Sequence, residues 1–345
     1  MTKFSNPENL RMPAEWEKQK STWIAWPHND KDWPNKFDLI PEIFAEIIFH
    51  ISKDQIVNIL VENNILKKRA IFILKNLKVN FSNIRFKFCK TDRAWLRDSF
   101  PIFVKNNQNE KILINWKFNS WAKYNNFKKD NNIIYKIKKI LNLRVISPRL
   151  YKKKVVLEGG SIDVNGKGAL ITTEECLLSK VQQRNPGLKK NDYEKIFLNY
   201  LGAKKIIWLK KGIVGDDTHG HIDDLARFVS ENKIFLAYES NKKDLNYKTL
   251  RNNFKIIKKL NTSKILKVIK IPMPKAKYIE GTRVPASYLN FYIANKVVLV
   301  PTYNDENDKF ALKIFKKHFK NRKIIPIDCS TLIWGFGAIH CMTQQ

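Results

Sequence analysis

With 345 residues, 43% of them hydrophobic and 12% aromatic, the chain can bury a large core, which excludes a mainly disordered protein. The formal net charge of +32 suggests nucleic acid, yet the lysines are spread from end to end and no RNP-type aromatic motif accompanies their clusters. A solvated basic surface is therefore expected, and nucleic acid is not an expected partner. There is no run of about eighteen apolar residues and no signal-peptide core, so neither a membrane span nor secretion is expected. Cys89, Cys176, Cys329 and Cys341 are far apart and lack CxxC spacing, which fits free thiols in a reducing cytoplasm and argues against a disulfide scaffold or a zinc cluster.

Strand and helix signals alternate and no Gly/Ser/Pro-rich linker divides the chain, so residues 1–345 read as a single α/β domain. Ile40, Ile43, Phe44, Ile47, Ile48 and Ile51 recur at helical spacing, and an apolar strand follows at 56–61. Residues 64–75 read as helix, and 84–88 as a strand entering the loop that carries Trp95 and Asp98. A hairpin is expected from 101–104 and 112–116 around Asn106-Asn107-Gln108-Asn109, and a helix at 133–141. Residues 155–157 read as a strand running into Glu158-Gly159-Gly160, and 169–172 as the next strand. Asn191 is the expected cap of a helix that Gly202 stops. A strand at 205–209 then delivers the loop with His219 and His221. A hairpin at 227–229 and 234–238, a helix over 245–260, paired strands at 288–293 and 297–300, a helix over 309–319 and a strand at 323–327 follow.

The polar loops fall at a regular interval. Asp98, Glu158 and Asp223 each lie beside a strand, about 60 to 65 residues apart, and Cys341 comes about twice that distance later. A strand-strand-helix-strand unit used repeatedly around an axis would bring such loops to one end. One open mixed sheet with helices on both faces is the alternative.

Cys341 sits five positions from the end of the sequence, so it can do chemistry only if the tail is clamped to the body. A thiol nucleophile needs a lowered pKa or a nearby base. The segment 215–224 supplies His219, His221, Asp216, Asp217, Asp223 and Asp224. If that stretch is strand-like, His219, His221 and Asp223 share a face, whereas His340 points away from Cys341. Two carboxylates, an imidazole and a thiol suit a planar cation. The carboxylates hold a guanidinium by paired charge-assisted hydrogen bonds, and Trp95 stacks on its flat face or stem. The thiolate attacks the central carbon, and His221 protonates the departing amine and then activates water. This chemistry calls for no metal and no cofactor.

Eight blocks together resemble the agmatine deiminase family, the bacterial-type branch of the peptidylarginine-deiminase-like guanidino-modifying enzymes. They are Met12-Pro13-Ala14-Glu15-Trp16-Glu17, Thr22-Trp23-Ile24-Ala25-Trp26-Pro27-His28, Trp95-Leu96-Arg97-Asp98, Leu157-Glu158-Gly159-Gly160-Ser161, Thr172-Thr173-Glu174-Glu175-Cys176-Leu177-Leu178, 215–223, Pro285-Ala286-Ser287-Tyr288-Leu289-Asn290-Phe291-Tyr292 and 339–345. The resemblance implies a five-bladed, pseudo-symmetric α/β propeller (pentein) of ββαβ units with an axial site, often as a homodimer. It also implies hydrolysis of agmatine to N-carbamoylputrescine and ammonia through an amidino-cysteine, in polyamine biosynthesis or arginine and agmatine breakdown.

Carried over by position, Cys341 is the nucleophile, His221 the acid/base, Asp98 and Asp223 the guanidinium ligands, and Trp95 a pocket wall. Glu158 and Asp217 are candidates for orienting His221 or meeting the distal ammonium. His219 is expected behind the site, and Cys176, Trp23 and Trp26 in the core. His28 and His340 are expected to be hydrogen-bonded structural residues. Phe100 stands where the family has glycine, and Phe336 interrupts its Gly-Gly-Gly run; both are expected beside the pocket, narrowing it or altering which guanidine fits. The competing readings are a deiminase of peptidyl, free or methylated arginine and, from another class, a basic nucleic-acid-binding protein with a degenerate site.

Overall fold

The computed structural model describes residues 8–261 and 265–345. Its first sheet is built on β1 (Ser21–Ala25), parallel to β2 (Ile56–Val61), which is in turn parallel to β3 (Ile84–Phe88). β2 is buried along all but its first residue, the pattern of a parallel strand covered on both faces. Helix α1 (Ile40–Ser52) buries Ile40, Phe44, Ile47, Ile48 and Ile51 and leaves Glu42 exposed, with Pro41 pre-setting its first turn. Helix α2 (Asn64–Asn76) starts where the Asn63 side chain accepts from the Leu66 amide.

Four further sheets share one order: two antiparallel strands, a helix, and a third strand returning parallel to the second. The first of them is β4 (Ile102–Lys105), β5 (Lys111–Ile114), α3 (Ile133–Leu141) and β6 (Arg144–Ile146). The next is β7 (Asp163–Val164), β8 (Ala169–Thr173), α4 (Lys190–Leu201) and β9 (Lys205–Leu209). Then come β10 (Ala226–Ser230), β11 (Lys233–Tyr238), α5 (Asn246–Leu260) and β12 (Lys267–Pro272). The last is β13 (Tyr292–Ile293), β14 (Val297–Thr302), α6 (Asp308–His318) and β15 (Lys323–Asp328).

The first sheet takes its antiparallel member from the other end of the sequence. β16 (Thr343–Gln344) pairs with β1, placing Gln344 opposite Trp23 and Thr343 opposite Ile24. Arg97 donates to Gln344 Oε1 at 2.9 Å and to Gln345 Oε1 at 3.0 Å. This is the clamp that a reactive Cys341 requires.

Three local expectations are corrected. Asn191 lies inside α4: Lys189 is the N-cap, and the Asp192 carboxylate closes the end by accepting from the Lys189 amide at 2.9 Å. Gly202 does stop that helix, in the left-handed region at φ 69°. Residues 155–157 form no strand, and only an isolated bridge joins Val156 to Lys117. The strand expected at 288–293 is confined to Tyr292–Ile293, because Ser287 and Asn290 direct their polar groups to Asp224 and the tail.

A buried ionic group links these elements. Glu15 pairs with Arg227 at 2.8 Å and Arg97 at 3.5 Å, and its second oxygen accepts from the Ile293 amide at 2.7 Å. Arg227 also holds Asp163 at 2.6 Å and donates to the carbonyl of Phe291. The cluster ties the N-terminal segment to three sheets and to the turn after Trp95. No helix among the described residues is long and apolar enough to cross a membrane.

Candidate active site

Each functional side chain is delivered by a turn with an identifiable cause. Asp98 lies in the helical turn Leu96–Ser99, and the loop before it is pinned where Asp130 Oδ1 accepts from the Asp92 amide at 2.8 Å. Asp216 shapes the next turn: its Oδ2 accepts from the amides of Gly220 at 2.7 Å and His221 at 2.8 Å. His219 and Gly220 have φ of 64° and 94°, so this stretch is not strand-like. His219 consequently turns to Ser179 Oγ at 3.0 Å, while His221 is buried. Asp223 follows in the 3-10 turn Ile222–Asp224. Cys341 lies in the helical turn Ile339–Met342 rather than in a strand.

These turns converge. His221 Nδ1 lies 3.9 Å from Asp98 Oδ2 and 4.0 Å from Asp223 Oδ1, and its Nε2 lies 3.9 Å from Glu158 Oε2. The Cys341 thiol faces Asp223 Oδ2 at 3.7 Å. Asp98 accepts from the Gly160 amide and from Trp121 Nε1, both at 2.9 Å. Both ring nitrogens of His221, Asp223 Oδ1 and Glu158 Oε2 are buried without a hydrogen-bond partner. An unmet buried polar atom costs about 1–3 kcal/mol, so the free carboxylate oxygens of this cluster are set to receive a donor.

A pocket of about 310 Å³ lies against the cluster, lined by Trp95, Asp98, Trp121, Asp217, Phe336 and Cys341 among others. Trp95 packs closely over the two glycines that flank Phe336, since a Cβ on Gly335 or Gly337 would come within 2.8 or 2.9 Å of its ring. Phe336 adopts φ 61° and lines the pocket, as expected. Phe100 does not. It is buried at φ −82° with its ring 5.0 Å from that of Trp23, so it needs no glycine-like backbone and leaves the pocket width unchanged.

Charge sets the protonation pattern. Burial opposes the imidazolium of His221, but Asp98, the Cys176 thiol and Asp223 outweigh it and hold the proton well above the ordinary value. Burial pushes the Asp98 carboxyl up to about 6 against the pull of His221. Burial would also raise Asp223, yet the hydrogen bond and charge of His340 bring it below the usual value. Burial, Asp223, Asp224 and Asp98 push the Cys341 thiol well up.

Two site residues were not singled out in the sequence. Asn290 contacts Cys341, and Arg184 holds Glu158 Oε1 at 3.0 Å. His340 is hydrogen-bonded as expected, and its partners, Asp223 at 2.7 Å and Glu15 at 2.8 Å, make it a support of the site. Asp217 lies on the pocket wall with both oxygens engaged, one by Lys123 and one by Tyr124 at 2.8 Å. Among the described residues, Glu158, Cys176 and His221 offer ligand atoms within 4.8 Å of one another, and Arg184 already pairs with Glu158 Oε1 at 3.0 Å.

The family model for the Porphyromonas-type peptidyl-arginine deiminases matches residues 11–345. The chain belongs to that family. A Legionella pneumophila (strain Paris) protein, provisionally named an agmatine deiminase, is 33% identical over 346 residues, covering 97% of this chain and 94% of its own. A cysteine-to-serine variant of the C. jejuni agmatine deiminase with substrate bound superposes at a TM-score of 0.86 with 30% identity, covering 97% of this chain and 95% of its own. The agmatine deiminase of Enterococcus faecalis gives 0.88 and 31%, covering 99% and 96%.

Proposed function

We propose that this protein hydrolyses agmatine to N-carbamoylputrescine and ammonia, with Cys341 as nucleophile, His221 as acid/base, Asp98 and Asp223 as guanidinium ligands and Trp95 as pocket wall. The observation that carries this reading is the unmet buried carboxylate oxygen of Asp223 beside Asp98, His221 and the Cys341 thiol, at a pocket walled by a tryptophan. A guanidinium supplies planar N–H donors to two carboxylates, which no neutral amide does as well. The related agmatine deiminases, one holding substrate, support the same substrate class.

The resting thiol is protonated because burial, and after it Asp223, Asp224 and Asp98, oppose the thiolate. Seating a cation between Asp98 and Asp223 offsets that opposition, so binding itself favours ionisation of Cys341, whose proton is released to solvent while His221 keeps its own. The thiolate adds to the guanidine carbon, and ammonia leaves with a proton from His221. Water, deprotonated by His221, then attacks the amidino-thioether and releases the ureido product and the thiol. Glu158, fixed by Arg184, orients His221. Asp217 serves the distal ammonium after exchanging Lys123 for the substrate.

We further propose that the repeated sheets surround a central axis as a five-bladed propeller and that residues 1–345 act as one domain, in the cytoplasm and as a homodimer. The recurring strand order and the ionic group shared among sheets support the propeller. The deciding assay incubates the protein with agmatine, arginine and a peptidyl arginine and measures ureido product, with Cys341→Ala in parallel. Turnover of agmatine that disappears in Cys341→Ala is expected. Turnover of arginine alone would reject the substrate, and full activity in the variant would reject the mechanism.

A further inference from the structure

Asn290 stands in the chain between the fourth and fifth sheets, outside any strand, with its side chain buried. Its Nδ2 donates to Cys341 Sγ at 3.1 Å and to Asp224 Oδ1 at 2.9 Å. Its Oδ1 accepts from the backbone amides of His340 at 2.9 Å and Cys341 at 3.3 Å. The His340 amide also reaches the Asn290 carbonyl at 3.0 Å. A carboxamide has two donor hydrogens and two acceptor lone pairs, and all four are engaged by the tail turn and Asp224.

We infer that Asn290 is a catalytic residue, whose amide fixes the Cys341 turn and donates to Sγ in the thiolate that attacks substrate. The inference rests on Cys341 being the nucleophile, as proposed above. The ionisable groups facing Sγ from neighbouring elements are Asp223, Asp224 and Asp98, and each disfavours negative charge on sulfur. His340 and His221 stand beyond them, against Asp223 and Asp98. Among the described residues, Asn290 supplies the N–H aimed at Sγ. Asp224 accepts the second N–H, which fixes the rotation of the amide and keeps its nitrogen, rather than its oxygen, toward the thiol.

The test uses full-length Asn290→Ala and Asn290→Ser. Both remove the amide N–H that faces Sγ without adding a charge beside Asp223 and Asp224. Circular dichroism melts establish folding, and Asn290→Ser, which keeps a side-chain acceptor oxygen, decides if Asn290→Ala does not fold. The readout is the pH dependence of Cys341 alkylation by iodoacetamide, followed by mass spectrometry of the peptide that carries Cys341, with Cys341→Ala as blank; all four cysteines are buried, so the label is read at Cys341 itself. The midpoint is expected to rise by about one pH unit or more, slowing alkylation about tenfold at a fixed pH below it. With agmatine, kcat is expected to fall more than KM changes. A folded variant that alkylates with the unchanged midpoint overturns the inference. Because alkylation needs no substrate, a wrong substrate assignment would leave this result readable.

Discussion

An ideal Cβ on Gly160 would lie 2.7 Å from His221 Nδ1, 2.8 Å from Asp98 Oδ1 and 3.0 Å from Asp223 Oδ2. Glycine is required there because the backbone itself forms one wall of the ionic cluster, its amide holding Asp98. Gly160→Ala is expected to lower kcat/KM for agmatine about 100-fold or more while a cooperative melt persists, since a displacement of about 1 Å at the reacting groups costs that much. Kinetics near the parent level would mean that the cluster is looser than its distances indicate. At this scale the sequence was informative about charged groups and silent about amides. Asp98, His221, Asp223 and Cys341 stood out as ionisable residues in loops. Asn290 looked like one polar residue in an apolar strand, and nothing in its neighbours marked it as the contact of a thiol. The shared face of His219 and His221 did not form, because alternation was assumed across Gly220, whose positive φ breaks it.

The element that positions Asp98 depends on a pair of acids. Asp92 Oδ2 accepts from the Lys129 amide at 2.7 Å, and Asp130 Oδ1 accepts from the Asp92 amide at 2.8 Å, stapling the loop before Trp95 to the turn Lys128–Asn131. Burial, reinforced by the charge of Asp92, pushes the Asp130 carboxyl up to about 8. A folded value raised above the unfolded one contributes stability that is complete below about pH 4 and is lost as pH rises through about 8. Asp130→Asn keeps the acceptor oxygen without the charge. Its melting temperature is expected to exceed the parent's above pH 8 and to converge with it near pH 4. A variant less stable at pH 9 would show that the carboxylate is instead needed ionised. Elements of this kind were well legible where periodicity was long, as in α1, α2 and α5. They were poorly legible in the turns, where side-chain acceptors such as Asp216 and Asp192 decide the path.

For the molecule as a whole, a +32 surface surrounds a pocket lined by Asp98 and Asp217. Agmatine is a dication near neutral pH, so the long-range field slows its approach while the pocket favours its binding. Surface charge is screened beyond about 8 Å at physiological ionic strength. The expected result is a modest rise in kcat/KM with moderate added salt; a steep loss would exclude a dicationic substrate held mainly by exposed charge. The repeated order of strands was legible only as a spacing of acidic loops, because the units share a pattern of apolar positions and little residue identity. Closure of the first sheet by β16 was not legible at all, since a two-residue strand carries no periodic signal.

The buried group of Glu15, Arg97, Asp163 and Arg227, with His340 against it, gathers polar groups from both ends of the sequence. A guanidinium or carboxylate stripped of water before its counter-ion arrives incurs a large desolvation penalty, so none of them can settle early and alone. Refolding should therefore regain helix content well ahead of turnover, and recovered catalysis becomes a stringent gauge of how many molecules in a preparation have reached their native arrangement.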